Sequence, residues 1–453
     1  MPARFPSAVE ASALSGRAAV VVAVRDPDEP ESKSRTSIEE LSRLLAGLGV
    51  SVVGTIVQRR PHRGAPAYVG EGKLRELAAL TGGPGEIARG PSPARQPETE
   101  GRDRQAELVV VDDELEPGQQ RNLERATAVP VLDRTQVILH VFEQRARTRT
   151  AQLEVEAARL AYELPRVRDD ASLGDREGGG GRGGRGHTNV ELEKQRIRER
   201  LASIRRELER LATSSKLRRR RRADVFQVAL VGYTNAGKSS LMRLLTGSDV
   251  FVEDRPFATL DTTVRKLAPP TKPPILLSDT VGFIDRLPHD LVASFRSTLE
   301  EALEAWLLLV VVDASDPAFR EQLRVTQAAL ADIGATETPT WVVMNKVDRL
   351  GPDERRALAE EFPEALQVSA LREEDGIALH ERITAFFDRF LVTRTFEIPY
   401  ARAHALADVR DRIRVLEESY ASAITLTARG TPEVLSRLEK LVHDEPMRST
   451  PNR

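Results

Sequence analysis

Apolar residues recur along this chain in two rhythms. Short unbroken runs such as AAVVVAV (18–24), VSVVGTIVQ (50–58), AELVVVDD (106–113) and FQVALV (226–231) predict strands buried in a sheet. Between them the apolar positions return every three or four residues, the mark of one helix face. SIEELSRLLAGLG (37–49) predicts a helix with Ser37 as N-cap, Glu40 three residues on, and Gly49 near its end. YVGEGKLRELAAL (68–80) reads as a strand end, a glycine turn and a helix; a further helix is predicted over 117–127 and a strand in VPVLDR (129–134). This alternation makes 17–145 a small α/β domain with a parallel sheet, a binding or spacer module without a phosphate loop of its own. Residues 1–16 read as a disordered tail, and 81–103, rich in Gly, Pro, Arg and Glu, as a flexible insertion.

Residues 146–166 predict a strong helix with Leu153, Ala157, Leu160 and Leu164 on one face. A second, over 189–214, carries Val190, Ile197, Leu201, Ile204, Leu208 and Leu211. Two such helices predict an antiparallel hairpin spanning 146–215. Its loop, GGGGRGGRG (178–186), holds far more glycine than a turn requires, with Arg182 and Arg185 interleaved. Glycine permits close backbone approach and arginine suits phosphate, so the loop is either a linker or an RNA-contacting tip. The basic stretch KLRRRRR (216–222) opens a linker over 216–224. From 225 to 391 strand and helix alternate at short intervals, which predicts a doubly wound domain with its ligand at the carboxyl ends of the strands. A small α+β domain is predicted for 395–444.

Composition narrows this little. The chain has 453 residues, a formal net charge of −2 and no cysteine, which excludes disulfides and Cys-ligated metals and fits a reducing cytoplasm. The small net charge means that any nucleic-acid affinity must come from local patches. The N-terminal stretch lacks the apolar core of a signal peptide, and the longest apolar run, WLLLVVV (306–312), is too short to span a bilayer.

The chemistry lies in short motifs at strand ends. GYTNAGKSS (232–240) follows a buried strand and opens a helix, with Gly232, Gly237, Lys238 and Ser239 at the spacing of a phosphate-cradling loop. The glycines let the backbone approach the phosphates, Lys238 is placed to reach them, and the Ser239 hydroxyl suits Mg²⁺. NKVD (345–348) ends the strand TWVVM; the Asp348 carboxylate can accept from both guanine N1–H and the 2-amino group, a pairing adenine does not offer. SAL (369–371) follows the last strand of the domain and suits a loop whose Ala370 N–H points at guanine O6. DTVGF (279–283) offers Asp279 to the Mg²⁺ shell and the Gly282 N–H to a γ-phosphate. In FATLDTTV (257–264), Thr259, Thr262 and Thr263 compete for a metal-binding role. Phe283 stands where Ras-like enzymes place the glutamine that orients water, so slow intrinsic hydrolysis is expected, raised by a partner or by a cation held near Asn235.

These motifs, with YVGEGK and VLDRTQVILHVFEQRARTRTAQLEVEAARLAYELPR (131–166), resemble the HflX-type GTPases over about 37–443. The middle motif is specific, since ordinary GTPases have nothing like it. The resemblance implies an N-terminal α/β domain, a helical hairpin, a P-loop GTPase domain and a small C-terminal domain. It also implies a cytoplasmic, monomeric GTP hydrolase that binds the large ribosomal subunit and its RNA and splits stalled or idle ribosomes under stress. The phosphate contacts it implies are Gly232, Tyr233, Thr234, Asn235, Ala236, Gly237, Lys238 and Ser239. Phe257, Ala258, Thr259, Leu260 and Asp261 become one switch, and Asp279, Thr280, Val281 and Gly282 the other. Asn345, Lys346, Val347 and Asp348, with Ser369, Ala370 and Leu371, read the base. Ser239 and Thr259 become the Mg²⁺ ligands, and Lys238, Asn235 and Thr259 the catalytic set, with K⁺ as an additional cation. Two departures stand out: the hairpin loop ends GGRGHT rather than in a Gly-Pro-Gly-Glu-like sequence, and Thr262 replaces a frequent proline after FATLD. A GTP-dependent signalling switch without RNA, a ribosome assembly factor without splitting activity, and an ATPase in the N-terminal domain are the competing readings.

Overall fold

Valine-rich runs become the interior strands because β-branched side chains pack well on a pleated surface covered on both faces. The computed structural model describes residues 14–61, 64–87, 104–168, 186–220, 225–248, 257, 263–280, 282–284 and 304–443, and they fall into two compact units. The first runs to Leu211 and also gathers Phe257 and Ile284; the second holds the remaining described residues.

The first unit opens with β1 (Ala18–Arg25), α1 (Glu31–Gly47), β2 (Ser51–Arg59) and α2 (Glu71–Thr81). It continues with β3 (Leu108–Val111), α3 (Pro117–Thr127), β4 (Val131–Asp133) and α4 (Arg134–Arg145). All four strands are parallel, in the order β2-β1-β3-β4. β3, LVVV, is buried at every position.

Three expectations change here. Leu14, assigned to the tail, is fully buried, and the Gly16 N–H donates to Gly49 O at 2.8 Å. Residues 82–87, assigned to the insertion, are held against the unit: the Gly85 N–H donates to Ala126 O at 2.9 Å, and Ile87 packs on the core; 88–103 lie outside the described residues. Ser37 is not an N-cap. α1 starts at Glu31, and Ser37 and Glu40 are buried in its middle, both bonded to the buried Arg134 guanidinium. The three-residue spacing that makes a capping box at a helix start also places two side chains on one face inside a helix. The same guanidinium pairs with Asp112 at 2.6 Å.

α5 (Arg149–Glu163) and α6 (Gly186–Arg220) form the anticipated hairpin, although the expected helix from 146 begins only after a break, with Thr148 as its cap. Leu153 and Leu160 pack with Ile197, Leu201 and Ile204. Each such fully buried aliphatic side chain contributes roughly 1.5–3 kcal/mol. Arg149 pairs with Glu207 and Glu156 with Arg200, so a step forward of one heptad on α5 is the same step backward on α6, as antiparallel helices require. The loop carrying Arg182 and Arg185 lies outside the described residues, and the side chains of the arginine run are not described.

Tyr162 and Arg166 tie the hairpin to the end of the sheet. Asp133 caps α4, accepting from Gln136 N at 2.8 Å, and also accepts from Tyr162 Oη at 2.7 Å and Leu115 N at 3.1 Å. Burial raises the Asp133 pKa, while the bonds from Tyr162, Gln136 and Leu115 oppose the shift. Arg166 stacks 3.4 Å over the Tyr162 ring and donates to Leu115 O.

The second unit is built on β5 (Phe226–Gly232), α7 (Lys238–Thr246), β6 (Thr263–Lys266), β7 (Ile275–Asp279) and β8 (Leu307–Asp313). α8 (Phe319–Asp332), β9 (Thr340–Asn345), α9 (Pro352–Glu361), β10 (Leu366–Gln367) and α10 (Glu373–Asp388) complete its large sheet. The strand order is β10-β9-β8-β5-β7-β6, parallel except for β6. Of residues 285–304, only Glu304 is among the described residues. A small antiparallel sheet follows: β11 (Val392–Ile398), β12 (Arg414–Tyr420) and β13 (Ile424–Gly430), in the order β11-β13-β12. α11 (His404–Val409) and α12 (Pro432–His443) pack on it. Among the described residues no helix is long and apolar enough to cross a membrane.

Candidate functional site

The parallel strands of the large sheet bring their carboxyl ends together, and the sequence motifs sit on those ends. β5 runs into the loop 232–237, whose two outer glycines are required by space. A Cβ on Gly232 would collide with the Val311 carbonyl, and one on Gly237, at φ +95°, with the Asn345 side chain. Asn235 also adopts positive φ, at +60°. The loop delivers Lys238 to the first turn of α7, buried, with its Nζ donating to Gly232 O at 3.1 Å and Tyr233 O at 2.9 Å. Burial pushes the Lys238 pKa down to about 8, and the nearby Asp279 carboxylate only partly opposes that shift.

Next to it, Ser239 Oγ donates to Asp279 Oδ2 at 2.7 Å. A hydroxyl and a carboxylate side by side are hard oxygen donors of the kind Mg²⁺ takes. Asp279 ends β7, and Thr280 donates to Leu230 O at 2.8 Å, fixing the segment beside β5. The backbone then folds onto the loop: Thr234 N donates to Phe283 O at 2.8 Å, and Phe283 N to Gly232 O at 3.0 Å. A Cβ on Gly282 would sit 2.9 Å from Thr234 Cα and 3.0 Å from Lys238 Nζ, so only glycine allows this approach.

NKVD and SAL meet across the same end of the sheet. Asn345, buried, donates through Nδ2 to Ala236 O at 2.9 Å and accepts from Ala370 N at 3.1 Å. The Ala370 N–H expected to face a base thus has an intramolecular acceptor here. Lys346, at φ +62°, donates to Asn235 O at 2.8 Å and pairs with Asp313 at 2.7 Å. Ser369 Oγ donates to Asp348 Oδ1 at 2.6 Å. Val347 is buried and Leu371 exposed.

Two partners were missed in the sequence. Asp313 closes the otherwise apolar run of β8, a signal that was legible. Asp375 accepts from Ser369 N at 2.7 Å and stands in the first turn of α10, where an acid looks like ordinary helix chemistry. Phe257 is buried within the first unit, while Ala258, Thr259, Leu260, Asp261 and Val281 lie outside the described residues.

The family described as "50S ribosome-binding GTPase" matches residues 227–346, "GTP-binding GTPase N-terminal" matches 35–143, and "GTP-binding GTPase Middle Region" matches 145–222. The chain is 48% identical over 442 residues to GTPase HflX of Gluconacetobacter diazotrophicus, covering 93% of this chain and 97% of that one. It is 37% identical over 438 residues to GTPase HflX of Caldanaerobacter subterraneus subsp. tengcongensis, covering 94% of each. GTPase HflX of Escherichia coli is 39% identical over 329 residues, covering 72% of each. Likeness at this level runs through the N-terminal and middle regions as well as the phosphate loop, and so the chain belongs to the HflX family of GTPases.

Proposed function

We propose that this GTPase binds the large ribosomal subunit in its GTP-bound form and uses binding and hydrolysis to split stalled or idle ribosomes. The observation that carries the reading is the match of its nucleotide-binding region to a family described as ribosome-binding. In this reading Lys238 leaves the Gly232 and Tyr233 carbonyls for the β- and γ-phosphates, and the loop N–H groups and the start of α7 hold the anion. Asp348 accepts from the guanine N1–H and 2-amino groups, with Asn345, Lys346 and the Ser369–Leu371 loop holding it in place. Ser239 and Thr259 would hold Mg²⁺, with the Asp279 carboxylate beside Ser239, and the ion would supply charge neutralisation on the phosphates. Phe283 offers no polar group to a water, so activation would come from the ribosome or from another group; Asn235 would hold K⁺ near the β- and γ-phosphates, where the ion would supply positive charge.

The test is co-sedimentation with separated ribosomal subunits in GDP or a non-hydrolysable GTP analogue, with gradient analysis of whole ribosomes. The expected result is analogue-dependent retention on the large subunit and loss of whole ribosomes. Turnover should rise with large subunits, and K⁺ should support it better than Na⁺. Equal retention in both nucleotides, with whole ribosomes intact, would overturn the reading.

A further inference from the structure

β8 is apolar from Leu307 to Val312 and ends on a carboxylate, Asp313, in register with Asn345 at the end of β9. A charge closing an interior strand is costly unless its oxygens are engaged, and both of these are. Oδ1 accepts from Ser315 N at 3.0 Å and from Ser315 Oγ at 2.6 Å, which fixes the carboxylate from its own turn. Oδ2 accepts from the Lys346 ammonium at 2.7 Å. Lys346 also donates to Asn235 O at 2.8 Å, and its Cε lies 3.8 Å from the point that a Cβ on Gly237 would occupy. The four-carbon stem of Lys346 is therefore stretched from the base-reading loop to the phosphate loop and pinned at its far end. The two side chains are 14% and 16% exposed, so water and salt screen the pair less than a surface one. A lysine stem is otherwise among the most mobile of side chains.

We propose that Asp313 is a positioning residue for guanine-nucleotide retention. It pins the Lys346 ammonium so that the lysine stem forms a fixed cover over one face of the base, and so it sets how long a nucleotide stays bound. This role rests on the proposed reading of NKVD. Asp348 reads the edge of the base, whereas a methylene stem covers a ring face without telling one purine from another. Loss of Asp313 therefore lowers affinity for GDP and for IDP, which lacks the 2-amino group, by the same factor, and the loss appears as faster release. A residue that merely kept the loop in shape would, on removal, disturb Asp348 and narrow the preference for GDP over IDP.

The experiment measures GDP and IDP affinity, and the release rate of a fluorescent GDP analogue, in the full chain for Asp313→Asn, Lys346→Met, their double variant and Asp348→Asn. Asparagine at 313 keeps a carbonyl for the Ser315 bonds but turns an NH₂ toward Lys346, donor against donor. GDP affinity should fall at least about fivefold in Asp313→Asn, release should quicken by the same factor, and the GDP-to-IDP ratio should stay within about twofold of the parent. The double variant should bind no more weakly than the weaker single one, as coupled partners do. Asp313→Glu, which moves the charge by one methylene, repeats the cycle should Asp313→Asn fail to fold. Three results overturn the role of Asp313 alone, given an Asp348→Asn variant that loses GDP: affinity in Asp313→Asn within about twofold of the parent, a narrowed GDP-to-IDP ratio, or a further loss when it is added to Lys346→Met. An Asp348→Asn variant with unchanged GDP affinity overturns the reading of NKVD and the role of Asp313 together.

Discussion

Replacing Asp348 with asparagine should change which base this protein prefers. Asp348 keeps one carboxylate oxygen on Ser369 Oγ at 2.6 Å, and Ser369 is itself held by Asp375, so the loop is fixed independently of any nucleotide. Guanine presents N1–H and the 2-amino group in parallel, and a carboxylate, with about four acceptor sites, can take both while retaining the serine bond. Asparagine has the same shape but offers one acceptor and one donor. Its carbonyl can still accept from Ser369 and N1–H, and its NH₂ then faces the guanine 2-amino group, donor against donor. Losing one hydrogen bond to a charged group and leaving one donor unmatched costs about 2–4 kcal/mol, roughly 30- to 1,000-fold in GDP affinity. Xanthine carries an oxygen where guanine carries the amino group, so the new NH₂ finds an acceptor and XDP should bind the variant better than GDP does. Titration calorimetry with GDP and XDP on parent and variant measures both, with circular dichroism to check the fold. GDP affinity within threefold of the parent, or an equal loss for the two nucleotides, would refute the assignment.

Three further outcomes are expected. Because burial holds the Lys238 pKa at about 8 rather than 10.5 and the phosphates need its charged form, GDP affinity should be flat below pH 8. Above that it should fall by up to about tenfold per unit, with proton uptake visible in buffers of different ionisation enthalpy; constant affinity from pH 7 to 10 would count against it. Arg134→Met leaves Glu40 and Asp112 buried without their shared cation and should cost about 3–5 kcal/mol in denaturant unfolding of the first unit; a loss below 1 kcal/mol would refute the role. Arg182→Ala with Arg185→Ala should weaken large-subunit binding and lower its salt dependence by up to about two phosphate contacts, with GTP affinity unchanged; identical binding at several salt concentrations would make the loop a linker.

What was legible in the sequence divides along physical lines. The parallel sheets could be read because a strand buried on both faces must be apolar along its buried length, as LVVV is throughout and LLLVVVD is up to its closing Asp313. The hairpin could be read because a seam between two helices repeats every three or four residues. α4 was not separated as a helix. Eight of its residues are buried, Arg134 through Phe142 apart from Gln136, so it shows no polar face to mark its period. Ser37 and Glu40 were misread for the complementary reason: the local pattern fitted a cap, and the residue that overrides it, Arg134, lies nearly a hundred positions away.

The nucleotide site was legible to a different depth on its two sides. The phosphate loop declares itself because its chemistry is local: glycines, a lysine and a serine must follow one another for the backbone to curl around an anion. The base side is assembled from distant pieces, and its motifs name the residues without showing what holds them. The structure supplies that support. Asn345 bridges Ala236 of the phosphate loop and Ala370 of the SAL loop, and Lys346 bridges Asn235 and Asp313. The collision that any side chain on Gly237 would make with Asn345 comes from this same bridge. Glycine at 237 therefore serves two needs at once, the positive φ of the loop and the close approach of the base-reading strand. For that reason the phosphate and base motifs are mechanically one object although 108 positions separate Gly237 from Asn345.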